Sequence, residues 1–180
     1  MRFLSESKAI ERLDAIISDL KGVISEKYEH RAKSCHTCET QGACCLDAHF
    51  VNVHISRLEA IAIERSLRHL SPERQNQISA RVGETIQKYS LSAEGDTFTQ
   101  TFACPLFEKG IGCLVHESGK PVPCIMHACY EFEEDLPPDD LQTSAENKIA
   151  ELNNRTYSIM QPPLPIPLAL RNYAKVSVSE

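Results

Sequence analysis

The eight cysteines of this 180-residue chain fall in two short segments, Cys35–Cys45 and Cys104–Cys129, with none in the long stretches around them. Such segregation limits what the chain can become. A disulfide framework belongs to exported chains. The opening residues Met1 to Leu20 intersperse Glu6, Lys8, Glu11, Arg12 and Asp14 among the apolar ones, which breaks the continuous apolar core of a signal peptide. The expected compartment is therefore reducing and cytoplasmic, where clustered thiols hold metals or do catalysis. A nucleophilic enzyme needs one poised thiol with a base. Two groups of four thiols do not read that way, so no catalytic residue is assigned. Buried cysteine acting as a small apolar residue leaves the local spacing unexplained.

That spacing points to metal. In Cys35-His36-Thr37-Cys38 a two-residue gap lets one tight turn aim both sulfurs at a point, as in tetrahedral zinc sites and ferredoxin clusters. Gly42 is able to take a positive φ and curl the chain back, bringing Cys44 or Cys45 to the same metal. Neighbouring side chains of an extended segment point apart. On that basis either one of Cys44 and Cys45 binds while the other is buried, or the two serve different metals. In the second segment, Cys104-Pro105 has the proline that follows a ligand cysteine in bacterial ferredoxins. Cys113 and Cys124 each have a histidine three residues on, His116 and His127, as candidate ligands. His36 is expected to tune the site rather than bind. The predicted ligand set is Cys35, Cys38, Cys44, Cys45, Cys104, Cys113, Cys124 and Cys129. The cofactor is zinc, iron or an iron–sulfur cluster. Thiols of both segments are expected to meet at one shared site or two adjoining ones, because loop closure grows only logarithmically with loop length.

The same residues carry a resemblance. Cys35, Cys38, Cys44 and Cys45 resemble the opening of the YkgJ-type cysteine-cluster family, the CxxCxxCC zinc- or iron-chelating domain. The elements that follow resemble it in order: a Ser-capped helix from Ser56, Cys104-Pro105-Leu106-Phe107, Gly112-Cys113-Leu114 and Lys120-Pro121-Val122-Pro123-Cys124. The resemblance spans roughly Cys35 to Cys129 and implies chelation of zinc or iron. The chain departs from the pattern in a longer gap between Cys38 and Cys44. It also departs in the Val122-Pro123 insert before Cys124 and in Ile125, where the family has arginine. Those departures bear on anion binding and leave the thiols intact.

The rest of the sequence reads as scaffold. Ile10, Leu13, Ile16, Ile17, Leu20, Val23 and Ile24 recur at helical steps over about 5–30. Ser56 with Glu59 forms a capping-box signal for a helix to about Leu70. Ser71-Pro72-Glu73 opens another, running to about Tyr89. A helix from Asp139 or Ser144 to Tyr157 buries Ile149, Leu152 and Tyr157. Between Thr97 and His116, β-branched and aromatic residues with Gly110 and Gly112 predict a short hairpin. The fold class is mainly α: one small helical domain over 1–160, with a β-hairpin and metal-binding loops at 35–45 and 104–129. The prolines of 161–167 are expected to prevent a helix, leaving 161–180 as a surface arm.

With 25 acidic against 19 basic residues, the net charge of -6 and the lack of a basic stripe exclude a phosphate-tracking nucleic-acid binder. No apolar run is long enough to cross a bilayer. The expected partners are the metal ion and a protein. The leading function is a structural or carrier metalloprotein. An iron–sulfur redox component and an interaction module using the proline-rich arm are the alternatives.

Overall fold

The structure, a computed structural model, describes residues 3–33, 42–46, 51–127, 130–158 and 161–174. The chain forms two compact units, the first from 1–41 and 120–160 and the second from 42–119 and 161–180.

In the first unit, α1 (Glu6–Lys27) starts at Ser5, whose hydroxyl accepts from the Lys8 N–H and so satisfies one of the helix's orphan donors. Its stripe of Ala9, Ile10, Leu13, Leu20 and Ile24 is buried. α4 (Val122–Met126) and α5 (Asp139–Tyr157) pack against it. The Leu4 N–H donates to the Arg155 carbonyl at 3.1 Å, and the Tyr157 hydroxyl donates to Glu6 at 3.0 Å. The start of α1 thus meets the end of α5, and the two helices run antiparallel. Arg31 pairs with Asp135 at 3.8 Å near the opposite end.

The second unit is built on α2 (Arg57–Leu67), α3 (Pro72–Lys88) and α6 (Ile166–Tyr173), with α6 packed on both others. The Ser56–Glu59 capping box is fully formed, and Ser71 caps α3 with Pro72 in its first turn. β1 (His54–Ile55) pairs antiparallel with β4 (Leu164–Pro165), His54 opposite Pro165. β2 (Phe107–Glu108) pairs antiparallel with β3 (Gly112–Cys113), Phe107 opposite Cys113. Ile55, Ile63, Phe102, Leu106, Leu168 and Ala169 lie at the centre of the core.

The mainly helical class with a short hairpin holds. The hairpin is shorter than the sequence suggests, because Thr97–Thr99 forms a 3-10 turn rather than a strand. The surface arm is overturned for the described part of 161–180. Leu164 through Leu170 are buried, and Pro167 lies inside a helix. The reason is positional. Pro165 caps α6 and Pro167 sits in its first turn, where backbone N–H groups have no intrahelical acceptor to lose. Burial of Ile166, Leu168, Ala169 and Leu170 then drives the segment inward. No helix among the described residues is long and apolar enough to cross a membrane.

Candidate metal centre

Two turns and a hairpin carry the described cysteines of the second unit. Gly42 takes the left-handed conformation, φ 77°, and the chain then closes a 3-10 turn over Ala43–Cys45, with the Cys45 N–H on the Gly42 carbonyl at 2.7 Å. Only glycine fits, because a Cβ at 42 would stand 1.8 Å from the Phe107 ring. The second turn runs from Cys104 to Phe107, whose N–H donates to the Cys104 carbonyl at 3.2 Å, with Pro105 in the corner position that suits its fixed φ. The Cys104 N–H donates to the Cys45 carbonyl at 2.7 Å, joining the two turns directly. The Leu114 N–H donates to the Leu106 carbonyl at 2.9 Å, which holds the strand carrying Cys113 against the Cys104 turn. Cys104 and Cys113 pack on the edge of the core.

The thiols feel one another. A hydrogen bond with the Cys44 side chain pushes the Cys45 thiol far up, and burial and the neighbouring Cys44, Cys104 and Cys113 add to the rise. Burial pushes the Cys104 thiol up to about 12, with Cys113 contributing. The Leu106 and Phe107 N–H groups and the Arg81 guanidinium pull Cys104 the other way. Each of these causes favours or disfavours negative sulfur, so the turns present both crowded donors and groups ready to receive their charge.

Cys44, Cys45, Cys104, Cys113 and Cys124 are all partly buried thiols. Cys124 belongs to the first unit, in the middle of α4. Cys35, Cys38 and Cys129 lie outside the described residues, as do His36 and His49. Among the described residues, no three His, Cys, Asp or Glu side chains are disposed as a finished metal site.

One local expectation needs correction. The side chains of Cys44 and Cys45 do not point apart. The 3-10 turn replaces the extended backbone on which that expectation rested, and the two thiols are hydrogen-bonded. His127 caps the end of α4, its N–H bonded to the Pro123 carbonyl at 3.1 Å, and the chain turns extended from there. His127 and His116 are both exposed.

The cations close to the cysteines in sequence are not those that meet the hairpin. Lys33, Lys109 and Lys120 are the lysines closest in sequence to the cysteines, and Lys33 pairs with exposed Glu131 at 3.5 Å. The hairpin's charge partners are Arg74 and Arg81 of α3, which both reach Glu108 of β2. Their spacing of two helical turns places them on one face of α3, a signal visible in the sequence only once Glu108 is known to lie opposite.

No family model matches the chain, and no curated protein or solved structure matches it.

Proposed function

We propose that this chain is a metal-binding protein that chelates zinc or iron, the latter alone or as an iron–sulfur cluster, in a structural or carrier role. The observation that supports it is the backbone bond from the Cys104 N–H to the Cys45 carbonyl, which joins two cysteine-bearing turns from segments nearly sixty residues apart. Helix packing alone does not call for joining these cysteine-bearing turns at the edge of a core that already holds Cys104 and Cys113. In the protonated state their sulfurs have no charge to draw them together, and crowding raises the cost of ionising any one of them. A bound cation supplies the opposite charge, after which ligation and folding of the turns become one free energy.

The residues suit such a group. Soft sulfur donors select zinc, copper(I) and iron–sulfur centres over hard cations. The Leu106 and Phe107 N–H groups favour negative charge on the Cys104 sulfur. Cys35, Cys38, Cys124 and Cys129 complete the proposed set of eight, and the resemblance to the YkgJ-type family points to the same chemistry.

Anaerobic purification, elemental analysis and a visible spectrum test the reading. At least one zinc or iron per chain is expected, colourless for zinc and coloured for an iron–sulfur centre. Cys45→Ser and Cys104→Ser should each lower that content. A metal-free parent protein, or serine variants with full metal content, would refute the proposal.

A further inference from the structure

In the first unit, the start of α1 and the end of α5 form a cavity of about 360 Å³, lined by Phe3, Leu4, Ser5, Lys8, Arg12 and Arg155. That volume lies in the range of small-molecule pockets, roughly 300–1,000 Å³. Three of the six lining residues are cations, and none is a carboxylate. The backbone bond from the Leu4 N–H to the Arg155 carbonyl, 3.1 Å long, brings the third cation to the other two.

Lys8 and Arg12 stand one turn apart on α1, so their side chains rise from the same face. Neither forms an ion pair among the described residues. Both placements work against the helix. Like charges four residues apart repel, and Lys8 also sits in the first turn, at the positive end of the backbone dipole, where a cation is disfavoured. Glu6, the acid of that turn, receives the Tyr157 hydroxyl at 3.0 Å and does not line the cavity. Arg155 pairs with Glu151 at 3.2 Å, but that carboxylate is 62% exposed and water screens its hold on the guanidinium. A bound anion relieves the repulsion at all three side chains.

We propose that this cavity binds a small organic phosphate, the phosphate held by Lys8, Arg12 and Arg155 and the apolar part laid against Phe3 and Leu4. A carboxylate offers two oxygens and a single charge, whereas a phosphate monoester offers three oxygens and about -1.5 to -2 charge, which answers three cations better. The guanidinium forks of Arg12 and Arg155 match phosphate oxygens in pairs, and Lys8 adds a compact point charge. The Ser5 hydroxyl accepts from the Lys8 N–H through its oxygen and keeps its own proton to donate. Phe3 is 73% exposed, so its ring is open to a ligand that carries apolar surface. The site uses no cysteine and stands whether or not the thiols hold metal.

The test is an amide chemical-shift titration of the full chain in about 0.1 M salt, with phenyl phosphate, methyl phosphate and benzyl alcohol as probes. Phenyl phosphate should move the amides of 3–12 and 152–157 saturably. Methyl phosphate, which lacks the ring, should bind more weakly, and benzyl alcohol, which lacks the charge, should leave those amides in place. Lys8→Gln, Arg12→Gln and Arg155→Gln should each weaken phenyl phosphate about fivefold. Lys27→Gln removes the same charge from the far end of α1, about 28 Å from Lys8 and beyond the screening length, and should bind like the parent. Because Lys8 and Arg12 work against the helix, the urea midpoints of ligand-free Lys8→Gln and Arg12→Gln should be no lower than that of the parent.

Amides of 3–12 left unmoved by phenyl phosphate would overturn the proposal. So would an equal loss in Lys27→Gln, which would make the effect one of overall charge. Methyl phosphate binding as tightly as phenyl phosphate would leave Phe3 and Leu4 without a part and would also overturn it. Vesicles of anionic phospholipid that move the same amides while phenyl phosphate does not would assign the patch to a membrane surface instead. A lower urea midpoint in ligand-free Arg12→Gln would make Arg12 part of the scaffold, and the proposal would fall on that ground too.

Discussion

The α1–α5 pair of the first unit and the cysteine turns of the second are held by different physics. Two long helices bury Ala9, Ile10, Leu13, Leu20 and Ile24 on one side and Ala145, Ile149 and Leu152 on the other. Each large apolar side chain so buried contributes roughly 1.5–3 kcal/mol. The turns have two-residue strands, a handful of backbone hydrogen bonds and an arginine–glutamate contact, set on the edge of a core formed by other elements. A two-stranded hairpin is marginal by itself. The contrast says where the proposed metal would matter most: the helical pair has its own apolar burial, whereas the thiol turns borrow the edge of a core built by other elements.

The comparison breaks most visibly on metal removal. Amides of 42–46 and 104–114 should exchange about 100-fold faster or more after chelation, as expected when a ligand well above its dissociation constant is withdrawn. Those of α1 and α5 should keep their protection. Hydrogen exchange with and without chelator reads both regions in one experiment. Unchanged protection in the turns would show that they stand without metal.

The converse perturbation strikes the helical pair. Leu13 is 2% exposed. Leu13→Ala removes that packing and leaves a cavity, which should cost about 2–5 kcal/mol, read as a lower urea midpoint. Protection of the turns should still respond to chelator in this variant. A loss below about 1 kcal/mol would mean the stripe is less tightly packed than its burial implies.

What was legible in the sequence follows the same division. Ser56 with Glu59, Ser71 with Pro72 and the stripe of α1 are local signals, each satisfied within one or two turns, and each helix begins where its cap stands. The fold of 161–174 was not legible. Pro165 and Pro167 read as breakers until Leu164 is paired with Ile55 across a strand from a hundred residues away. The site was half legible. Cysteine spacing marks the segments, and the positive φ of Gly42 follows from residue type. The contact of Gly42 with Phe107, the junction of Cys45 with Cys104 and the face of α3 carrying Arg81 are long-range and have no local signature.

The smallest effect concerns acid. His54 of β1 stacks on Phe98 with ring centroids 4.2 Å apart, and its Nε2 lies 2.9 Å from the Thr97 hydroxyl. Burial lowers the proton affinity of His54 below its ordinary value, opposed by the Asn52 and Thr97 backbone and by Asp96. The unfolded chain then binds a proton that the folded chain refuses. The stability due to neutral His54 is therefore complete above the ordinary histidine pKa of about 6.5 and is lost as pH falls through the lowered folded value. Neither α1 nor α5 contains a histidine, so this sensitivity belongs to the second unit. The ring is only half-buried, and the effect is correspondingly the least of the three. His54→Phe retains an aromatic partner for Phe98 and removes the titration. The urea midpoint of the parent protein should fall from about pH 7 to pH 5 more steeply than that of the variant, the difference isolating the imidazole from carboxylates common to both. Parallel slopes would show that His54 accepts its proton in the folded state as readily as in the unfolded one, and that β1 is no more acid-sensitive than the helical pair.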